Sequence, residues 1–295
     1  MKPVPSALVA VLGLGGLVFS ALAGRGAMQS EQQFHVARGR PERPKDLCPP
    51  GKTCPIEDVR FRTSDGLQLS GWFVPPRQGK TVLLAHGLGQ GRLGLIPEAR
   101  ALVRAGYGVL LFDLRGHGES EGSTVTMGEK EQLDIKAAAD WLRRRPDVDP
   151  AHLGAIGFSI GANALAHAAA LDRGLRAVVL LSPGTSLREN VELDFASHGL
   201  PWRLGALLPY YLRGIDLDAV RPVDVLAAIA PRHVLLIAGS KEEGQWMMPM
   251  LERALPPGSR TWIVPGAGHG GFNQVAPDTY ARVLVGFLDA ELGAT

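Results

Sequence analysis

His152-Leu-Gly-Ala-Ile-Gly-Phe-Ser-Ile-Gly-Ala-Asn-Ala-Leu-Ala-His-Ala-Ala-Ala170 is the stretch on which the reading of this chain turns. Leu153 to Phe158 is an apolar run of strand length, and Asn163 to Leu171 is an uninterrupted alanine-rich helical pattern. Between them, Gly157-Phe158-Ser159-Ile160-Gly161 fits Gly-x-Ser-x-Gly, a serine on a sharp strand-to-helix turn. The physical need for glycine there is steric: strand and helix can approach, and the serine Oγ can stand free, only if the flanking residues lack a Cβ. Ser159 then sits at the positive end of a helix, with the Ile160 N–H aimed at any oxyanion formed beside it. The pentapeptide alone is a weak pattern. The strand before it and the helix after it supply the context that gives it weight.

Working outward, apolar runs too short for helices recur on both sides: Thr81 to Ala85, Gly108 to Asp113, Ala177 to Leu181, His233 to Ala238 and Arg260 to Val264. Helical patterns from Pro97 to Ala105 and from Met127 to Arg145 alternate with them, the second carrying Leu133, Ala137, Ala138, Trp141 and Leu142 on one face. Such alternation predicts an α/β fold with a mostly parallel sheet covered on both sides by helices. Val59 to Thr63 and Leu67 to Val74 flank Ser64-Asp65-Gly66 and predict a hairpin ahead of it. About 50 residues separate the strands at 177–181 and 233–238, longer than one crossover needs. Pro222 to Ile229 reads as the crossover helix, leaving an insertion over about 185–221. Its Leu200, Trp202, Leu204, Leu207, Leu208, Tyr210, Tyr211 and Leu212 either form a cap over the site or bury against the body.

A chain of 295 residues, 45% apolar and 20% charged, can bury a sizeable core. Its net charge of +2 has no concentrated basic face, so no nucleic-acid partner is expected. Lys2 precedes the uncharged run Val4 to Gly24, which ends in Ala21-Leu22-Ala23. Residues 1–23 therefore read as an export signal cut after Ala23 or, the run being long enough to span a bilayer, as an uncleaved anchor giving membrane attachment through residues 4–24. The location expected is outside the cytoplasm, periplasmic or secreted, or at the membrane. Residues 24–55, rich in Gln, Arg and Pro, read as a tether or an ordered skirt rather than a core element. Within it Cys48 and Cys54 flank a turn-prone spacer and, in an oxidising compartment, are expected to form a local disulfide. The domain proper is expected over 56–295.

His86-Gly87-Leu88-Gly89, Phe112-Asp113-Leu114-Arg115-Gly116-His117-Gly118-Glu119-Ser120, Gly157 to Gly161 and Gly266-Ala267-Gly268-His269-Gly270 stand in the order and spacing of α/β-hydrolase serine hydrolases. Over about Val59 to Leu292 the chain resembles the lipase, esterase and acylpeptidase-like members of that superfamily. The residues carry the chemistry independently. A serine hydroxyl needs a base within hydrogen-bond reach, and the base needs an acid on its other nitrogen. His269, in a loop of small residues after the last strand, is the candidate base, whereas His86 and His117 belong to glycine turns. The resemblance places the acid three residues after Gly239, where Glu242 stands in place of the usual aspartate; Glu243, Asp216, Asp218 and Asp278 are the alternatives. No carboxylate directly follows Ser182. The resemblance also assigns the second oxyanion-hole N–H, beside that of Ile160, to Leu88. Asp113 and Arg115 are expected to tie their loop together. The resulting expectation is ester or related acyl hydrolysis through Ser159, His269 and Glu242, with no cofactor and no metal. Trp246, Met247, Met248 and Met250 suggest a hydrophobic small-molecule acyl substrate. An acyltransferase using the same residues, a peptidase and a catalytically silent binding protein are the other readings.

Overall fold

The structure is a computed structural model and describes residues 6–36, 38–44, 47–48, 54–194, 196–242 and 244–293. Eight strands form one sheet in the order β1-β2-β4-β3-β5-β6-β7-β8. Strands β1 (Glu57–Arg62) and β2 (Gln68–Val74) are the expected hairpin, and β2 pairs antiparallel with β4 (Gly108–Phe112). From β4 onward every pairing is parallel, through β3 (Thr81–Ala85), β5 (Leu153–Phe158), β6 (Ala177–Leu181), β7 (Val234–Gly239) and β8 (Arg260–Val264). This is the mostly parallel α/β sheet expected from the strand and helix alternation, in the α/β-hydrolase arrangement that the resemblance implied.

The helices are α1 (Ser6–Gln32), α2 (Ile96–Arg104), α3 (Glu131–Arg143), α4 (Ile160–Leu171), α5 (Leu187–Asp194), α6 (Leu200–Leu212), α7 (Pro222–Val225), α8 (Met248–Ala254), α9 (Phe272–Val275) and α10 (Pro277–Leu292). Alternate strand residues feed two cores. Leu83, Leu110, Ala155, Leu180 and Leu236 pack toward α3 and α4, whereas Val82, Leu111, Ile156, Val179 and Ile237 pack toward α2 and α10. The central strands are buried on both faces, which is why they read as continuous apolar runs rather than alternating ones.

Three sequence expectations are corrected. The long helix starts at Glu131 rather than Met127, because Met127 and Gly128 take positive φ. The Glu131 carboxylate then accepts from the Thr126 and Gly128 amides and from Thr126 Oγ. The crossover at 222–229 is a short α-helix followed by a 3₁₀ turn. The helix α1 runs on through residues 24–32, where the composition suggested a tether, because its C-terminal half has a partner in α6. Cys48 and Cys54 are joined in a disulfide, with Cα atoms 5.8 Å apart. Among the described residues no helix is long and apolar enough to cross a membrane.

Candidate active site

The site lies where the carboxyl ends of the parallel strands meet, and β5 supplies its centre. Ser159 stands between β5 and α4 with φ 52° and ψ −116°, a conformation that costs a non-glycine residue free energy and persists only where its surroundings fix it. Those surroundings explain the two flanking glycines. A Cβ on Gly157 would lie 2.4 Å from the Gly161 carbonyl oxygen, and one on Gly161 only 2.3 Å from that of Ala85. Neither backbone could yield. The Ser159 amide is held by the Leu181 carbonyl at 2.9 Å, and the Ser159 carbonyl accepts from the Asn163 amide in the first turn of α4.

Two further strand ends bring the remaining candidates to Ser159. The loop after β8 puts His269 Nε2 3.0 Å from Ser159 Oγ. The loop after β7 puts Glu242 Oε1 2.6 Å from His269 Nδ1. The arrangement defines the tautomer: Nδ1–H donates to the carboxylate, leaving Nε2 to accept from the serine hydroxyl. The other Glu242 oxygen accepts from Ser182 Oγ at 2.9 Å and from the Gly239 amide at 3.2 Å. Ser182 closes β6, the strand next to β5, and also takes a positive φ of 47°. Sequence reasoning noted Ser182 only as a place lacking a carboxylate. The available signal was its position at the end of the strand between those of Ser159 and Glu242. Of the alternative acids, Asp216 caps the Asp218 amide, Asp218 is paired with Arg188, and Glu243 lies outside the described residues.

The loop after β3 carries Leu88. Its neighbouring amides are both occupied, that of Gly87 by Gln90 Oε1 at 3.1 Å and that of Gly89 by His117 Nε2 at 3.1 Å. Ile160 is the first residue of α4, so its amide is one of the orphan donors of a helix N-terminus. His86 and His117 are the frame of this loop. His86 Nε2 accepts from the Leu114 amide and its Nδ1–H donates to the Gly87 carbonyl, while His117 Nδ1–H donates to the Arg115 carbonyl. Burial, with the nearby His117 ring, depresses the His86 pKa to about 3. Burial lowers that of His117 as well. Both rings are therefore neutral hydrogen-bonding struts.

Asp113 and Arg115 both hold their loop in place, as the sequence suggested, each through its own partners. The Asp113 carboxylate is buried against Arg92, accepting from its amide at 2.8 Å and its guanidinium at 2.6 Å, and also from the Glu119 amide. Burial pushes this carboxyl up, but the Arg92 hydrogen bonds and charge outweigh that and hold it below its ordinary range. Arg115 instead bridges Asp134 on α3 and Asp65 in the hairpin turn. Nothing in the sequence near Arg92 marked it as a partner, because the pairing depends on a contact between two strand-end loops.

A cavity of about 550 Å³ opens beside Ser159. Leu88, Met127, Leu187, Val191, Met247 and Leu251 give it an apolar wall, and Gln33, Asn163, Asn190 and Lys241 add polar points. Met247 and Met248 face it, whereas Trp246 is exposed on the surface and Met250 lies outside the lining. The insertion contributes Tyr210 to the cavity, its hydroxyl donating to Gln33 Oε1 at 2.6 Å. Its Leu200, Leu204, Leu208, Tyr211 and Leu212 neither line the cavity nor bury against the body; they point outward.

Comparison with known proteins adds four observations. The family model described as X-Pro dipeptidyl-peptidase (S15 family) matches residues 27–224. An uncharacterized protein of Mycobacterium tuberculosis is 36% identical over 218 residues, covering 72% of each chain, and a polyketide transferase of Penicillium is 30% identical over 179 residues, 58% of this chain and 61% of that one. Among solved structures, an esterase of Pyrococcus furiosus superposes with a TM-score of 0.73 at 27% identity, covering 88% of this chain and 99% of that one.

Proposed function

Because the chain belongs to the X-Pro dipeptidyl-peptidase (S15) family of α/β-hydrolases, we propose that it is a serine hydrolase that cleaves an ester of a hydrophobic acid through an acyl-enzyme. The hydrogen-bonded chain Ser159–His269–Glu242, at 3.0 and 2.6 Å, is the observation that carries this reading. Ser159 Oγ attacks the acyl carbonyl carbon while His269 Nε2 takes the hydroxyl proton. The negative charge that develops on the carbonyl oxygen is met by the Leu88 and Ile160 amides. Collapse of the tetrahedral intermediate breaks the acyl–oxygen bond, and His269 returns its proton to the leaving alcohol. Water then attacks the acyl-serine as His269 takes one of its protons, and collapse of the second tetrahedral intermediate breaks the acyl–Oγ bond while His269 returns that proton to Ser159 Oγ, releasing the acid. Glu242 holds the imidazole in one tautomer and stabilises its charged form.

The lining of the cavity favours an ester over an N-terminal dipeptide. Among the described residues that line it, Glu242 is the sole carboxylate, and it is already bonded to His269, Ser182 and Gly239. Among those described residues none is left to neutralise a substrate ammonium, and Lys241 would repel one. A second reading, acyl transfer to an alcohol instead of water, draws on the similarity to the polyketide transferase. The Cys48–Cys54 disulfide supports the reading of the chain as exported.

The test is labelling by a fluorophosphonate, expected for the native protein and absent in Ser159→Ala, together with hydrolysis of p-nitrophenyl esters of graded chain length beside aminoacyl amides. Labelling that survives in Ser159→Ala, or cleavage of the amides alone, would overturn the assignment. Adding an alcohol and measuring the ester-to-acid product ratio separates transfer from hydrolysis.

A further inference from the structure

The insertion and the N-terminal helix leave an apolar surface that the body of the protein does not cover. On α6, Leu200, Leu204, Leu208, Tyr211 and Leu212 recur at helical spacing and form one stripe, each between 47% and 80% exposed. The opposite side of the same helix, Gly205, Ala206, Pro209 and Tyr210, is buried. Such a helix is apolar on both faces, a pattern that is stable when each face meets apolar material.

The helix α1 lies along it. Gly26 approaches the Trp202 carbonyl and Gly205 that of Ala23 so closely that neither glycine could carry a Cβ. Further along, Phe34 packs edge-on against Tyr210, and Glu31 pairs with Arg213. The two helices therefore run in the same direction, and the start of α1 projects beyond the start of α6. Residues 16–21 of that projecting part, Gly-Leu-Val-Phe-Ser-Ala, are exposed on every side, with Leu17 at 70%. A second copy of the chain could cover one stripe on α6, but the all-round exposure of residues 16–21 calls for a medium that surrounds them. The charges complete the argument. From Val4 to Gln32 the sequence carries only Arg25 and Glu31, and α6 carries only Arg203; Arg203 pairs with Glu192 and Arg213 with Glu31, so the patch is apolar within and its ionic groups sit at the rim. A membrane interface receives such a surface, with the apolar part below the headgroups and the ion pairs among them.

We infer that α1 and the outer stripe of α6 form a surface that docks on a lipid bilayer, and that the acyl group cleaved at Ser159 comes from a lipid ester held there. The substrate half of this inference rests on the serine-hydrolase reading. The same helix that turns its leucines outward puts Tyr210 into the cavity wall, so the acyl pocket is about one helix diameter, ~10 Å, from the docking face. A lipid chain has only to pass around α6.

The experiment uses the full chain. Cys48 and Cys54 are bonded to each other, so Leu204→Cys adds a single reactive thiol that can carry an environment-sensitive NBD fluorophore. With vesicles of phosphatidylcholine and a minority of phosphatidylglycerol, its emission shifts to the blue and is quenched by doxyl-labelled lipid. The same label at Leu171→Cys, on the exposed C-terminal end of α4, does not respond. An unquenched label at position 204, or a blue shift without vesicles that grows with protein concentration, overturns the docking surface; the second result assigns the stripe to a second copy. In a parallel arm, Leu204→Glu with Leu208→Glu lowers hydrolysis of an ester packed in vesicles about ten-fold or more while a soluble short-chain ester is cleaved at the native rate. Equal loss on both substrates, or no loss on either, overturns delivery from lipid. Absence of soluble-ester cleavage in the native protein would instead strike the serine-hydrolase reading, leaving the fluorophore result to judge the surface.

Discussion

The floor of the site and its roof are built on different terms. In the floor, the strand-end turns saturate their polar groups: Asp113 accepts from Arg92 and Glu119, His86 and His117 hold the turns around Leu88, and Ser182 takes the spare oxygen of Glu242. In the roof, α1 and α6 meet through glycines, and Ser30 Oγ and Trp202 Nε1 are buried with no hydrogen-bond partner among the described residues. No polar side-chain atom of the floor residues named here is in that state. Bond making needs reacting atoms held to a fraction of an ångström, and saturated networks supply that stiffness. Admission of a substrate needs only a surface of suitable chemistry, so packing in the roof is less constrained.

The comparison can be broken at the acid. Glu242→Gln keeps the shape of the floor but supplies no charge for the imidazolium, and kcat is expected to fall about 10³- to 10⁴-fold, some 4 to 5.5 kcal/mol, with KM little changed. A loss under ten-fold would move the acid elsewhere. Paired glycine substitutions sharpen it next. Gly161→Ala drives a Cβ to 2.3 Å from the Ala85 carbonyl and 2.6 Å from that of His86, so unfolding in urea should show a loss of about 1 to 3 kcal/mol. Gly205→Ala makes an even closer contact with the Ala23 carbonyl, yet α1 can tilt away at the edge of the molecule. Its global unfolding midpoint should move less than half as far; an equal shift would make the roof part of the cooperative core.

Acid should act on the floor. Burial first, and then the His117 ring, hold His86 neutral with a pKa of about 3, and burial lowers His117 in the same direction. In the unfolded chain these imidazoles return to about 6.5. Below that pH the unfolded state takes up protons that the folded state refuses, so stability is full above about pH 6.5 and is lost progressively toward pH 3. Between pH 7 and pH 5, His86 alone contributes a loss of about 2 kcal/mol. A flat urea midpoint across that interval would contradict neutral, dry struts. The smallest effect belongs to the roof: Tyr210→Phe removes the bond to Gln33 in the cavity wall and should cost about 1 kcal/mol. Its expected signature is a change in KM for long acyl chains, with kcat held; a fall in kcat alone would place Tyr210 with the chemistry.

Much of the floor was legible because its requirements are local. An apolar run followed by Gly-x-Ser-x-Gly needs no distant partner to mark an elbow, since the clash that forbids a Cβ at Gly157 lies with Gly161, four residues on. Parallel strands buried on both sides announce themselves as uninterrupted Val, Leu and Ile. Met127 was less legible: a helical period ran through it, but the Glu131 carboxylate captured the amides ahead of the helix and let the chain turn there.

By itself the sequence determined where the strands lie along the chain and the elbow at Ser159, because sterics and hydrophobic periodicity act over a few residues and leave a pattern in composition; the loops that carry His269 and Glu242 were marked by the resemblance to α/β-hydrolases. Tertiary structure alone decided that Ser182 braces Glu242 across 60 positions, that Asp113 meets Arg92, and that α1 lies along α6 with its apolar side outward. Those choices depend on which loops and helices arrive at the same place after the sheet has formed, and contacts between residues far apart in the chain imprint no period on the residues that make them.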